Sequence, residues 1–344
     1  MNKRLIIFLT IGFAVTAITL AIIIGCFSLS NKQDSTSEET AAEQKLEEGN
    51  TSTEQTAAFS PPLKFIVIPE NPRQGDPVTI GVNTNEIEAV LVAGGRQLSK
   101  AKFFTVPGED GKPGFKAAII GIPVTARTGS ATINMTNEWG AVYEIPITIL
   151  AREFRSETLH LNPTVTSIVT DPNPQRTREA EIIWGIWSTT GDQIYHAGRH
   201  SLPVTSTRRT SPFGFRRTNI YSNGTSASSI HTGIDFGIPT GTEVRASGRG
   251  RVALSRMRIL TGYSVVIEHA PGVYSMYYHL DSVIARENTI VETGAIVGLS
   301  GSTGYSTGPH LHWEFRVSGE YVDPDAFVSR AILDKDLIIS KIYN

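Results

Sequence analysis

At 344 residues the chain is long enough for about two folded domains plus additional segments. Hydrophobic residues, 40% of the total, supply real cores, while a net charge of −2 offers no global basic field for nucleic acid. One cysteine excludes an internal disulfide framework and a thiolate zinc cage, and a single long apolar run excludes a multi-span membrane protein.

That run lies at the N-terminus. Met1-Asn2-Lys3-Arg4 is a basic head, and Leu5 to Gly25 follows without a charge. The stretch is long enough to cross a bilayer as a helix, and rather long for the apolar region of a cleaved signal. Lys3 and Arg4 are expected to stay cytoplasmic, which exports everything beyond Gly25. Ile23-Ile24-Gly25-Cys26 resembles a bacterial lipobox, whose cysteine is acylated after signal removal; the other reading is an uncleaved anchor with an ordinary Cys26. Residues 1–26 are thus read as a membrane anchor or a lipoprotein signal, either of which ties the chain to a membrane outside the cytoplasm. Residues 27–61 turn abruptly to Ser, Thr, Glu, Gln and Ala, a composition that cannot bury enough apolar surface to order itself. They are read as a disordered tether.

The region 62–152 reads as mainly β. Val78–Val82, Ala89–Val92, Lys116–Ile122, Ser130–Met135 and Ala141–Leu150 are short β-rich runs separated by turn residues, the spacing of a β-sandwich. The pattern is similar to the immunoglobulin-like modules upstream of some bacterial cell-wall enzymes, without their cysteine pair. It carries no chemistry and reads as a spacer or a docking module for an envelope protein partner. Residues 153–204 form a connector with a short helix at Arg178–Trp187, where Ile182, Ile183, Ile186 and Trp187 cluster on one face. His160, His196 and His200 have no partner at metal-ligand spacing and are expected on the surface or in packing.

Five of the 8 histidines fall between positions 231 and 312. His310 and His312 alternate within His-Leu-His-Trp-Glu-Phe-Arg-Val, so on a strand both imidazoles leave the same face. His231 and Asp235 are four apart, about 13 Å in a straight strand, and Gly233 between them is expected to curve the chain and bring them together. A His, Asp, His set leaves one tetrahedral position open, the catalytic form of a zinc site. Mixed imidazole and carboxylate donors suit Zn²⁺ better than Mg²⁺ or Ca²⁺. No HExxH is present, and the additional histidines can carry the proton transfers. His269 is expected to end a strand rather than bind metal. Gly304-Tyr305-Ser306-Thr307-Gly308 has the GxSxG form, yet Pro309 leads straight into the His310 strand where a nucleophile elbow needs a helix.

Further strands are drawn at Glu243–Ala246, Arg251–Ser255, Ser264–His269, Tyr274–His279, Ile296–Leu299 and His310–Val317. His-Thr-Gly-Ile-Asp-Phe, Tyr-Tyr-His-Leu and Gly-Ser-Thr-Gly-Tyr-Ser-Thr-Gly-Pro-His-Leu-His-Trp-Glu resemble the LytM/lysostaphin-type zinc endopeptidases, and Ser211 to Arg217 resembles the opening of their catalytic domain. The resemblance covers residues 205–330 and leaves 331–344 as a tail. It implies an antiparallel sheet with the site in a groove, one zinc ion held by His231, Asp235 and His312, and catalytic roles for His279 and His310. Tyr263, Tyr277, Tyr278 and Tyr305 are candidates to line the groove. The expected activity is hydrolysis of peptide bonds in the stem or cross-bridge of peptidoglycan, in the bacterial cell envelope. The alternative is a non-catalytic regulator of a cell-wall amidase, which typically lacks several of these five positions.

Overall fold

Alternating apolar residues between positions 65 and 149 pair into two four-stranded antiparallel sheets. In chain order the strands are β1 (Phe65–Ile68), β2 (Pro77–Val82), β3 (Ile87–Ala93), β4 (Gln97–Lys102), β5 (Phe104–Val106), β6 (Phe115–Gly121), β7 (Gly129–Asn137) and β8 (Val142–Ile149). One sheet runs β1-β2-β6-β5 and the other β4-β3-β7-β8. This computed structural model describes residues 63–344, apart from 85, 94–96 and 190. The predicted anchor 1–26, Cys26 and the tether 27–61 lie outside the described residues. Among the described residues, no helix is long and apolar enough to cross a membrane.

The two sheets enclose a core of Val78, Ile80, Ile120, Ile133 and Met135. Strand β6 is buried on both faces, which explains its continuous apolar run: Ala118 and Ile120 enter the sandwich core, whereas Ala117 and Ile119 join a second core with Phe315, Val317 and Ile338. The sandwich is therefore packed on the C-terminal domain over a shared apolar interior, in which each buried Val, Ile or Phe contributes about 1.5–3 kcal/mol. Arg152 reinforces the junction, binding Asp76 at 2.6 Å and Asp323 at 2.5 Å.

The connector holds more structure than its sequence suggests. Strand β9 (Ser156–His160) precedes two helices, Pro163–Thr170 and Pro174–Ser188, each opened by an asparagine cap (Asn162, Asn173) and an early proline. The second helix extends the expected Arg178–Trp187. Ile183 is buried and Ile186 and Trp187 pack partly beneath it, but Ile182 points outward.

Beyond the connector come β10 (Arg209–Ser211), β11 (Arg216–Ile220), β12 (Ser226–Ile230), β13 (Gly233–Phe236), β14 (Glu243–Arg245), β15 (Gly250–Arg258), β16 (Gly262–Ala270), β17 (Val273–Val283), β18 (Ile290–Val291), β19 (Ile296–Ser300), β20 (Leu311–Val317) and β21 (Glu320–Val322). The six strands expected here are present, with small shifts at their ends. A ten-stranded sheet runs β10-β13-β20-β17-β16-β15-β18, with β19 joining β14 to β17 and β21 on β20. Its pairs are antiparallel. Strand β11 lies in a separate sheet, antiparallel to β12 and parallel to β9. The segment expected as a tail is instead structural. Ile332 and Leu333 are buried, and the helix Lys335–Tyr343, capped by Asp334, buries Ile338 and Ile342 completely.

Candidate metal centre

Three adjacent strands line up the site. Asp235 on β13 is the register partner of His312 on β20, and His312 is in turn the partner of Tyr278 on β17. Directly opposed residues bring their Cβ atoms to about 5 Å, so a carboxylate and an imidazole meet without distortion. His231 precedes β13, and its turn lays Nε2 3.0 Å from Asp235 Oδ1. Gly233, between them, also leaves room that a side chain would fill. A Cβ there would stand 2.4 Å from the Trp313 carbonyl and 2.8 Å from His312 Nε2.

Three donors converge: His231 Nε2, Asp235 Oδ1 and His312 Nδ1. Their separations are 3.0 Å, 2.8 Å and 3.0 Å, and all three residues are buried. Tetrahedral donors about 2.0–2.1 Å from zinc stand about 3.3 Å apart, so the cluster needs only a small expansion to fit the ion. Each donor residue is also held from outside. His231 Nδ1 donates to the Pro212 carbonyl at 2.8 Å, fixing Nε2 as the inward atom. His312 Nε2 donates to Glu314 at 3.2 Å, and Glu314 also accepts from Thr232 at 2.5 Å and Arg316 at 2.7 Å. Asp235 Oδ2 accepts from Arg217 at 2.9 Å.

The charges balance locally. Burial opposes ionisation of Asp235, but His231 and His312 overcome it and hold the carboxyl well below its usual range. Burial likewise opposes charge on His312, and Asp235 and Glu314 outweigh it, lifting the imidazole to about 9. At His231 burial prevails over Asp235 and lowers the value.

His279 and His310 stand beside this cluster, their ring centroids 4.8 Å apart. His279 occupies the left-handed region at φ +59°, in a stretch of β17 whose pairing with β16 shifts register. Few residues other than glycine adopt that conformation, and such strain gathers at functional sites. Its Nδ1 donates to the Thr303 carbonyl at 2.8 Å, and His310 Nδ1 does the same to Gly308 at 2.8 Å. Both rings therefore turn Nδ1 to the backbone and leave Nε2 as the other ring atom, that of His310 lying 3.8 Å from Asp235 Oδ1. Burial, aided by His310 and His312, pushes His279 down to about 3 and keeps it neutral. The GxSxG segment is a loop between β19 and β20 whose Gly308 carbonyl orients His310.

Not every candidate joins the site. Tyr277 is fully buried, with its hydroxyl bonded to Ser247 and Ser275, so it belongs to the core and not to a groove wall. Tyr278 stacks on His312, centroids 5.6 Å apart and planes at 8°. Tyr263 and Tyr305 remain half-buried. His269 is buried inside β16, and its ring lies 4.6 Å from that of His200, which packs on Phe315 and Phe327. Sequence reasoning assigned no role to Arg217, Glu157, Glu314 or Arg316. Glu314 carried one signal, since it shares the strand face of His312 two residues away.

Residues 229–324 match peptidase family M23. The chain is 43% identical over 122 residues to the DD-carboxypeptidase/endopeptidase Mpg of Neisseria meningitidis serogroup B, covering 36% of this chain and 27% of that protein. It is 42% identical over 93 residues to the peptidoglycan DD-endopeptidase ShyA of Vibrio cholerae serotype O1, covering 27% and 22% respectively. The chain thus spans about a quarter of the length of these curated relatives. A crystal structure assigned to peptidase M23 from Pseudomonas aeruginosa shares the fold, with a TM-score of 0.52 at 22% identity over 75% of this chain and 94% of that one. The C-terminal part of this chain is therefore a peptidase family M23 domain.

Proposed function

We propose that the protein is a zinc-dependent endopeptidase that hydrolyses peptide bonds in the stem or cross-bridge of peptidoglycan. The observation that carries this reading is the convergence of three buried metal donors beside two histidines whose Nδ1 atoms are tied to backbone carbonyls. His231, Asp235 and His312 would hold the ion. Zinc bound there supplies a Lewis acid that polarises the scissile carbonyl and lowers the pKa of a water to about 7. The chain's own groups do the rest. One imidazole of the His279–His310 pair takes the proton released as the water oxygen joins the carbonyl carbon, and returns it to the amine as the C–N bond breaks. The other faces the developing oxyanion. Hydrogen bonds to the Thr303 and Gly308 carbonyls keep both rings aimed, so little reorganisation is needed during reaction.

The names of the relatives support a D,D-linked cross-bridge as the substrate. The apolar run from Leu5 to Gly25 supports export and membrane attachment, with the catalytic domain in the cell envelope. The test is metal content and turnover of the full chain in mild detergent. One zinc per chain is expected, with release of free amino groups from cross-linked peptidoglycan that stops on chelation and returns with zinc. Release that persists after complete chelation, or none from zinc-loaded protein, would overturn the proposal.

A further inference from the structure

Asp235 turns one carboxylate oxygen to the donor cluster and the other to Arg217, which reaches it from β11 at 2.9 Å. Arg217 is itself gripped by Glu157, on β9 of the connector, through its Nε. Ser211 on β10 joins them, donating to Glu157 at 2.9 Å and accepting from Arg217 at 2.8 Å. The parallel β9–β11 pairing places Glu157 opposite Arg217 in register, so the contact is fixed by backbone and not by chance side-chain reach. Glu157, Ser211 and Arg217 all precede residues 229–324, the part matched to family M23.

We infer that the metal site is completed from the connector: Arg217 is a positioning residue for Asp235, and Glu157, on β9, acts on the metal through Arg217. The inference rests on the zinc reading above. Its logic is electrostatic. An arginine suits the task geometrically, because a planar guanidinium can bind Asp235 on one side and Glu157 on the other. Alone, however, its positive charge beside the donors would oppose a divalent cation. The side chains of Glu157 and Arg217 are 21% and 19% exposed, sheltered enough for this charge to be felt. Glu157 neutralises it. The pair thus orients the carboxylate while adding no net charge to the site.

A cycle of zinc affinities in the full chain, measured by competition with a chromophoric chelator, tests this. Arg217→Gln is expected to weaken zinc about tenfold or more, the usual range for loss of an outer hydrogen-bond partner. Glu157→Gln keeps the shape and one acceptor but uncovers the Arg217 charge, and it too is expected to weaken binding severalfold. In the Arg217→Gln background the Glu157→Gln change should have no further effect, since the charge it balanced is gone. Thermal unfolding of the same proteins in chelator controls for folding: a purely structural role lowers the midpoint there and leaves the zinc effects additive.

Failure to bind zinc in the unaltered chain would sink the zinc reading itself. Zinc binding that is intact in the unaltered chain and within twofold in Glu157→Gln, or an undiminished Glu157→Gln effect without Arg217, would overturn this inference alone.

Discussion

Glu314 offers the sharpest perturbation of the site, because one buried carboxylate serves three partners. It is 3% exposed and accepts from Thr232, His312 and Arg316. Glu314→Ala leaves the Arg316 guanidinium, over the Trp187 ring at 4.1 Å, without its hydrogen-bonded counter-charge, and frees His312 Nε2. Removing one partner of a buried ion pair costs about 3–5 kcal/mol. The pH dependence gives a consistent size. Burial raises the Glu314 pKa, and Arg316 and His312 outweigh it to hold the value at about 2. Against an ordinary carboxylate near 4.3, the difference is worth about 3 kcal/mol. That stability is fully present above the unfolded pKa and is lost as pH falls through about 2. In a domain of this size the cost corresponds to a fall of about 10 °C in Tm. Scanning calorimetry of the full chain in chelator should show that fall at pH 7, with the gap to the unaltered protein closing below about pH 4. Zinc affinity should drop about 10–100-fold in parallel, since His312 loses the bond that orients it. A Tm within about 2 °C of the unaltered protein, with unchanged zinc affinity, would refute the reasoning.

Other outcomes follow from the same geometry. His279→Ala should keep its zinc, because it supplies none of the three converging donors, and should lose about 10²–10⁴-fold in hydrolysis rate, measured as amino groups released per minute. Gly262 sits at φ +64°, and a Cβ there would lie 2.1 Å from Thr303 Oγ1; Gly262→Ala should displace the carbonyl that holds His279 and depress kcat with zinc content unchanged. Ile338→Ala, at a fully buried position against Gly81, should cost about 2–5 kcal/mol in denaturant unfolding while leaving zinc affinity intact.

The parts of this site that were legible in the sequence are those whose chemistry demands particular residue types. Metal donors must be imidazole or carboxylate, and the strand alternation of His310 and His312, with His231 and Asp235 nearby, shows them without coordinates. The supporting groups were hidden for the opposite reason. Glu157, Arg217 and Arg316 look like any solvent-facing charge until the fold sets them against a ligand. Strand β9 was missed because Ser-Glu-Thr-Leu-His has little apolar content of its own and is held by pairing with β11. At Gly233 the sequence shows freedom of backbone but not crowding, and crowding by Trp313 and His312 is a further constraint there. The terminal helix was in fact signalled: Ile338 and Ile342 are four apart, preceded by the Asp334 cap.

The central claim is that this site cuts peptide bonds in peptidoglycan, and muropeptide mass spectrometry addresses it most directly. The full chain in mild detergent would be incubated with purified cross-linked peptidoglycan as zinc-loaded protein, chelated protein and His310→Ala. The account predicts new peptide fragments, pairs of which sum to the mass of the intact cross-linked muropeptide plus one water, only with zinc-loaded unaltered protein. Intact cross-links in every sample, with zinc bound, would contradict it, as would equal fragmentation by His310→Ala.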